Sequence, residues 1–168
     1  MRALGGLFTG KAWMYRLFRI VLVLTICTVP YWYHYKVVYV DGISMTPTYD
    51  DGQWTLMQRT RSFDDSWVPD RFDVIGVWSD KDQVLLCKRV IGLPGETVEI
   101  IQGRIFIDGN KLSDSFSEGY IVYLNFIGPD IESRVIKEGD VWVIGDNRED
   151  SLYGHFPIKQ IRGKIVLY

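Results

Sequence analysis

Ser44 and Lys88 are two residues of this 168-residue chain whose types could form a catalytic pair. Ser44 lies in "GISMTPT", where a hydrophobic strand-like run meets turn-forming residues. Small polar residues in such places are most often turn formers. A serine hydroxyl is a weak nucleophile until a neighbouring base takes its proton, so a catalytic Ser44 requires a base elsewhere in the chain.

Lys88 is one candidate base because of the strand-like segment that carries it. A period of two predicts that one strand face carries Val84, Leu86, Lys88 and Val90, and the other carries Leu85, Cys87, Arg89 and Ile91. Among aliphatic neighbours the charged amine is poorly solvated, which lowers its pKa from about 10.4 and favours the neutral, basic form. The alternative is a packed stem with an amine that reaches water. The strand alone leaves both interpretations open.

The two histidines give further candidates. His155 could form a triad with Ser44 and Asp146, because triads are defined by geometry and not by chain order. His34 follows an apolar run and fits better as an interfacial residue. No Cys or His pair has the spacing of zinc ligands, and Cys27 and Cys87 lie in unrelated contexts. We therefore expect neither a catalytic metal nor a disulfide.

The composition indicates one domain with no broad affinity for nucleic acid. The length suits a single core, and charged residues make up 24% of the chain with a net charge of -2. No nucleic-acid partner is expected.

The N-terminus differs from the rest of the chain. Residues 1–19 contain four basic residues and no acidic one, and the charge-free run that follows extends from Ile20 to Tyr33. This run is shorter than the roughly 20 residues that cross a bilayer, but aromatic residues flank both ends, as at membrane interfaces. No small-residue cleavage site follows, which favours an anchor over a removed signal peptide or a buried core helix. Residues 1–35 are predicted to be a basic cytoplasmic segment and a transmembrane anchor.

Residues 36–168 are predicted to form a mainly antiparallel β domain. Short runs rich in Val, Ile, Tyr and Trp alternate with turn residues, and Gln102-Gly103 separates two alternating segments as in a hairpin, with a second turn at Asp108-Gly109-Asn110. The pattern weakens around 113–138, which we interpret as an insertion. The predicted strands are "YKVVYV", "QWTLMQR", "DVIGVWS", "QVLLCKRVIGL", "ETVEII", "RIFIDG", "VWVIGD" and "GKIVLY".

Three separated segments, "GISMTPT", "KRVIGLPGETV" and "GDNREDSLYG", together resemble the signal peptidase I family. In that family, Ser-Met-x-Pro carries the nucleophile, Lys-Arg-Val-x-Gly-x-Pro-Gly begins with the base, and Gly-Asp-Asn braces the site. The resemblance implies coiled β-sheets behind one transmembrane helix. It covers most of the chain apart from the stretch around 113–138.

Carried over by position, the resemblance implies a Ser-Lys dyad, with Ser44 as nucleophile and Lys88 as base. Gly42 stands where some members have a serine, so the backbone N-H of Ser44 would hold the oxyanion. Ser151 would hydrogen-bond the lysine amine. The implied supporting residues are Asp146 and Asn147 as braces, Met45 and Pro47 in contact with substrate, and Pro47 as stiffener of the segment.

One departure from the family pattern concerns the third segment. Many members continue it with Asp-Ser-Arg before an aromatic-glycine pair, whereas here Ser151 leads through Leu152 directly to Tyr153-Gly154. Asp150 and Arg148 could replace the missing brace. The departure favours a specialised member.

The expected function is a membrane-anchored serine endopeptidase that cleaves signal peptides from exported preproteins after small residues, in an Ala-x-Ala-like pattern. It would need no cofactor and would act on the outer, periplasmic face of the inner membrane. The alternatives are a dedicated pilin-maturation peptidase associated with secretion or conjugation machinery, an organellar inner-membrane peptidase, a Ser-His-Asp hydrolase and a catalytically silent, membrane-tethered β domain that binds exported chains.

Overall fold

The structure is a computed structural model that describes residues 10–64, 66–113, 131–148 and 150–166. The chain divides into two compact units, Met1–Tyr35 and Lys36–Tyr168.

The first unit contains one helix, α1 (Gly10–His34), with Pro30 inside it. Its segment Trp13–His34 has 22 residues and contains an 18-residue window with a mean hydropathy of 1.4, so it is long and apolar enough to cross a bilayer. Two polar side chains inside it, Thr25 and Thr28, donate hydrogen bonds of 2.8 Å to carbonyls four residues earlier. The short apolar run is therefore the middle of a longer helix that includes the flanking aromatic residues.

The second unit confirms the predicted antiparallel β domain. The strands are β1 (Tyr35–Tyr39), β2 (Trp54–Arg59), β3 (Val74–Ser79), β4 (Val84–Gly92), β5 (Thr97–Ile101), β6 (Arg104–Ile107), β7 (Asn110–Lys111), β8 (Ile131–Val135), β9 (Asp140–Ile144), β10 (Gly154–Pro157) and β11 (Ile161–Ile165). In the described residues they form a seven-stranded sheet, ordered β1-β2-β11-β3-β4-β9-β10, and a four-stranded sheet, ordered β7-β6-β5-β8. Short 3₁₀ turns lie at Thr60–Ser62 and Ile158–Gln160.

The predicted hairpin at Gln102-Gly103 is confirmed by the register of β5 and β6, in which Ile101 lies opposite Arg104. Both turn residues have positive φ, at 50° and 71°, as a two-residue type I′ turn requires. The predicted second turn uses Asp108 and Gly109, and Asn110 already belongs to β7.

The stretch predicted as an insertion around 113–138 is only partly described. Residues 114–130 lie outside the described residues, whereas β8 pairs with β5 and Ile136 is buried. This end of the stretch belongs to the smaller sheet. Its strand was missed because "IESRV" is mostly polar and exposed, without the alternation that marks a half-buried strand.

Strand β4 contributes to apolar clusters on both faces of the larger sheet. Leu86 and Val90 pack in a cluster with Ile75, whereas Leu85 and Cys87 pack against a cluster that contains Met45. The observed alternation is the one that the sequence predicted.

Candidate active site

Ser44 lies in the loop that joins β1 to β2, called here the Ser44 loop (residues 40–53). Its two ends are held together by a 2.9 Å hydrogen bond from Val40 N to Gln53 O. Within the loop, Met45 and Tyr49 are fully buried in an apolar cluster, and Tyr49 N donates to Met45 O at 3.0 Å. The loop is therefore anchored by its own core residues, while Ser44 is half-buried.

Lys88 reaches Ser44 from the middle of β4. Its Nζ lies 2.7 Å from Ser44 Oγ, within hydrogen-bond distance. The residue is only 3% exposed, and Ile75 lies directly opposite it on β3. The lysine thus shares its face with aliphatic side chains, and its amine lies beside a serine rather than in open water.

Burial is the main cause that lowers the pKa of Lys88, and the negative charges of Asp146 and Asp150 partly oppose it. The neighbouring thiol of Cys87 contributes no negative charge at neutral pH, because burial raises its pKa to about 12. The lysine environment therefore favours the neutral amine, the form that can accept a proton.

An ion pair between Arg89 and Asp146 lies beside the dyad and joins the three sequence segments. Arg89 Nε donates to Asp146 Oδ1 at 2.8 Å and Arg89 Nη2 to Asp146 Oδ2 at 2.6 Å, and the two side chains are 1% and 0% exposed. The hydroxyl of Thr48, in the Ser44 loop, donates to the same carboxylate. Arg89 also donates to the carbonyl of Phe72 at 2.7 Å. The network links the Ser44 loop, the lysine strand and the Gly-Asp-Asn segment.

Asn147 and Gly145 contact the backbone beside Ser44. The Asn147 backbone N-H donates to Ser44 O and its side-chain Nδ2 to Ile43 O, each at 3.1 Å. A Cβ added to Gly145 would lie 2.1 Å from Ser44 O and 2.3 Å from Ser151 Oγ. Glycine at this position thus permits the close approach of β9 to the Ser44 loop.

The structure gives Ser151 different partners from those predicted. Its hydroxyl accepts a 2.6 Å hydrogen bond from Gly145 N and donates at 3.0 Å to Leu152 O. Within the described residues, the predicted bond to the Lys88 amine is not made, and the hydroxyl binds backbone groups instead. Ser151 holds the end of β9 in place instead.

The other predicted site residues occupy distinct positions in the Ser44 loop. Gly42 has a φ of 94°, and its N-H donates to Asp51 Oδ1 at 2.8 Å. Pro47 is exposed and follows a cis peptide bond. Met45 is 0% exposed and supports the loop from within, so its contact with substrate stays a prediction that this conformation does not display.

The alternative base His155 lies on β10 opposite Trp142. Burial lowers its pKa, while the nearby Asp140 has the opposite effect. In the described part of the chain, His155 forms no hydrogen bond with Ser44 or Asp146, and the Asp146 carboxylate is occupied by Arg89 and Thr48. The geometry favours the Ser44–Lys88 pair over the triad.

Two residues of the site were missed as positioning residues in the sequence. From the sequence, Arg89 was only placed on the strand face opposite Lys88 and Thr48 received no role, yet both bind Asp146. The available signal was a charged residue on the strand face opposite Lys88, between apolar neighbours. A buried arginine requires a carboxylate partner. That Asp150 and Arg148 replace the missing Asp-Ser-Arg segment stays a prediction, and the buried ion pair seen at the site is the one between Arg89 and Asp146.

Comparisons with known proteins show similarity over most of the chain. Residues 11–168 match the family model described as signal peptidase, peptidase S26. The chain is 32% identical to a signal peptidase I of Bacillus licheniformis over 118 residues, which cover 67% of this chain and 62% of that relative. It is 30% identical to signal peptidase I S of Bacillus subtilis over 145 residues, covering 77% and 74% of the two chains.

A solved structure agrees with these sequence matches. A signal peptidase I from Enterococcus faecalis superposes with a TM-score of 0.54 at 30% identity, covering 60% of this chain and 98% of that one.

Proposed function

This chain belongs to the signal peptidase family, peptidase S26, and on that basis we propose that it is a membrane-anchored serine endopeptidase that cleaves signal peptides with a Ser44–Lys88 dyad. The observation that carries the proposal is the 2.7 Å contact between Lys88 Nζ and Ser44 Oγ, with the lysine almost fully buried. Among the described residues no carboxylate lies within hydrogen-bond distance of Lys88 Nζ, and a buried lysine with a lowered pKa is typical of a general base.

In the first step, neutral Lys88 takes the proton of Ser44 as Oγ attacks the carbonyl carbon of the scissile peptide bond. The tetrahedral intermediate carries its negative charge on the former carbonyl oxygen. The backbone N-H of Ser44 is the proposed donor to that oxygen, and in the described residues no hydrogen bond engages it. The N-H of Gly42 is already bound to Asp51 and is less suited to this role.

In the second step, the Lys88 ammonium gives its proton to the leaving amine, and the C–N bond breaks. The acyl group stays on Ser44 Oγ. Water then attacks the ester carbonyl carbon while Lys88 accepts a proton from the water. The ester C–O bond breaks, Lys88 gives the proton to Ser44 Oγ, and the new carboxyl group leaves with the product. The dyad needs no metal or cofactor for these steps.

The proposed substrates are signal peptides of exported preproteins, cut after small residues. The third segment, which lacks Asp-Ser-Arg, supports a narrower range of substrates, such as pilins that mature within a secretion or conjugation system. Helix α1 is the proposed anchor, with the basic N-terminus in the cytoplasm and residues 36–168 as the catalytic domain on the outer, periplasmic face of the inner membrane.

The test is cleavage of a preprotein with an Ala-x-Ala site by the full chain in detergent. Ser44→Ala and Lys88→Ala should each abolish cleavage in folded protein, because each removes one half of the dyad. His155→Ala is the matched control and should keep most of the activity. Full activity of the Lys88 variant would refute the dyad, and selective loss in the His155 variant would favour the triad.

If the unaltered protein cleaves no preprotein, the binding-domain alternative gains support. Comparing secreted proteins from cells with and without the gene would identify the natural substrate.

A further inference from the structure

A cavity in the β domain, distinct from the Ser44–Lys88 site, is lined by four cationic side chains. They are Lys36, Arg59, Arg61 and Arg162, and among the residues that the structure describes no acidic one lines the cavity. The cavity volume is about 370 Å³. The whole chain has a net charge of -2, so four cations around one cavity are a local concentration of positive charge that favours an anionic ligand.

The lining of this cationic cavity also includes apolar side chains. Met57, Trp78 and Leu85 contribute to its lining, and Trp78 lies directly opposite Leu85 across β3 and β4. At Gly76 an added Cβ would lie 2.7 Å from Met57 Sδ, and at Gly163 it would lie 2.7 Å from Met57 Cγ. The lack of a side chain at these two glycines thus makes space for the Met57 side chain on the sheet. The ligand that fits both parts carries a negative group attached to an apolar or amphipathic portion.

The position of Lys36 in the chain indicates which ligand this is. It follows the end of α1 at His34 after a single residue. If α1 crosses a bilayer as proposed, Lys36 lies at the membrane interface, where phosphodiester headgroups are concentrated. Each lysine or arginine near an anionic bilayer surface favours binding by about 1 kcal/mol.

We propose that this cavity binds the headgroup of an anionic phospholipid, with the phosphate among the four cations and the first apolar carbons over Met57 and Trp78. Tryptophan suits such a site because its ring is apolar while its N-H donates a hydrogen bond. The proposal rests on the proposed anchor but not on the dyad, since none of the lining residues belongs to the Ser44–Lys88 site.

The test uses the double variant Lys36→Gln/Arg162→Gln. In the described residues these two side chains make no ion pair or hydrogen bond, so their replacement should leave the fold intact. The matched control is Arg104→Gln/Lys111→Gln, which removes two cations from exposed positions of the smaller sheet. The full chain in neutral detergent is titrated calorimetrically with dihexanoyl phosphatidylglycerol, dihexanoyl phosphatidylcholine and inorganic phosphate, with empty micelles as the blank.

The expected result is tighter binding of phosphatidylglycerol than of phosphatidylcholine, weakened about 30-fold in the Lys36/Arg162 variant and by less than threefold in the control. Equal weakening in both variants would refute a built site and indicate general charge attraction. Inorganic phosphate that binds as tightly as phosphatidylglycerol would refute the lipid and assign a small anion. Preprotein cleavage in detergent should be unchanged in both variants, so a failure of this proposal is distinguishable from a failure of the dyad.

Discussion

Replacing Asp146 by Asn should unfold the β domain at a markedly lower temperature and abolish cleavage. The change keeps the shape of the side chain but removes the charge that faces Arg89, and both residues are almost completely buried. Arg89 cannot lose its proton, so its charge would remain buried without a counterion.

The expected loss of stability in Asp146→Asn follows from the burial of the ion pair. Breaking a buried ion pair by removing one partner costs about 3–5 kcal/mol, against a total stability of about 5–15 kcal/mol. For a domain of this size, that corresponds to a fall in Tm of roughly 10–25 °C. Thr48 also loses a charged acceptor in the Ser44 loop, so the loop should loosen before the domain unfolds.

The assay is thermal unfolding of the full chain in detergent by near-ultraviolet circular dichroism, with preprotein cleavage measured well below Tm. Lys164→Gln is the control, because it breaks the more exposed 2.7 Å pair with Asp73 and should cost less than about 1 kcal/mol. The double variant Arg89→Met/Asp146→Leu should recover most of the Tm, since apolar replacement of a buried pair is roughly neutral. Its cleavage should stay low, because Thr48 still lacks its partner.

Two outcomes would refute this reasoning. A Tm of Asp146→Asn within about 3 °C of the unaltered protein would mean that the Arg89 charge is not buried in solution. A double variant as unstable as the single one would mean that the ion pair contributes net stability rather than position.

Three further predictions concern the lysine and the glycine that meet at Ser44. The rate of cleavage should rise with pH as Lys88 loses its proton, with a midpoint below 10.5, the ordinary pKa of lysine. Asp150→Asn should lower this midpoint further, because it removes a negative charge that raises the pKa of Lys88, and an unchanged pH profile in this variant would contradict the prediction. Lys88→Met should raise Tm at pH 7, because burial lowers the pKa of the folded lysine and its charged form therefore destabilises the folded state. The gain in Tm should shrink as pH approaches 10.5, and thermal unfolding measured across this pH range checks it. Gly145→Ala should abolish cleavage and lower Tm, because the added Cβ would lie 2.1 Å from Ser44 O. The control Gly109→Ala has open space around the added Cβ, so it should lose about 1 kcal/mol of stability and stay active. Cleavage by Gly145→Ala would argue against the close approach of Gly145 to Ser44.

The strand that carries Lys88 was predictable because its signal is local. Alternation with period two follows from backbone geometry alone, and it placed Lys88 with Leu86 and Val90, away from Cys87. The turn at Gln102-Gly103 was equally local. Strand β10 was missed, because "GHFP" contains too few strand-forming residues and ends in proline.

The hydrogen-bond partners in the site could not be read from the sequence, because they depend on packing between distant segments. Ser151 illustrates this limit. Motif position linked it to the lysine amine, but the loop brings its hydroxyl onto the N-H of Gly145. Likewise, Arg89 and Asp146 lie 57 positions apart, and only the register of β4 and β9 brings them together. A motif identifies the residues of a site more reliably than their contacts.

The same burial has opposite consequences for the two adjacent basic residues of β4. Lys88 has a neutral serine at 2.7 Å, so desolvation lowers its pKa and favours the neutral amine. Arg89 has both oxygens of a buried carboxylate, so its charge is retained. The pairing also acts on the lysine, because Asp146 alone would be a buried negative charge that favours the Lys88 ammonium. With Arg89 bound to it, that carboxylate forms part of a near-neutral pair, so it raises the pKa of Lys88 less than it would alone. The ion pair thus places the Ser44 loop and also favours the neutral Lys88 amine, which is the form that the proposed dyad requires.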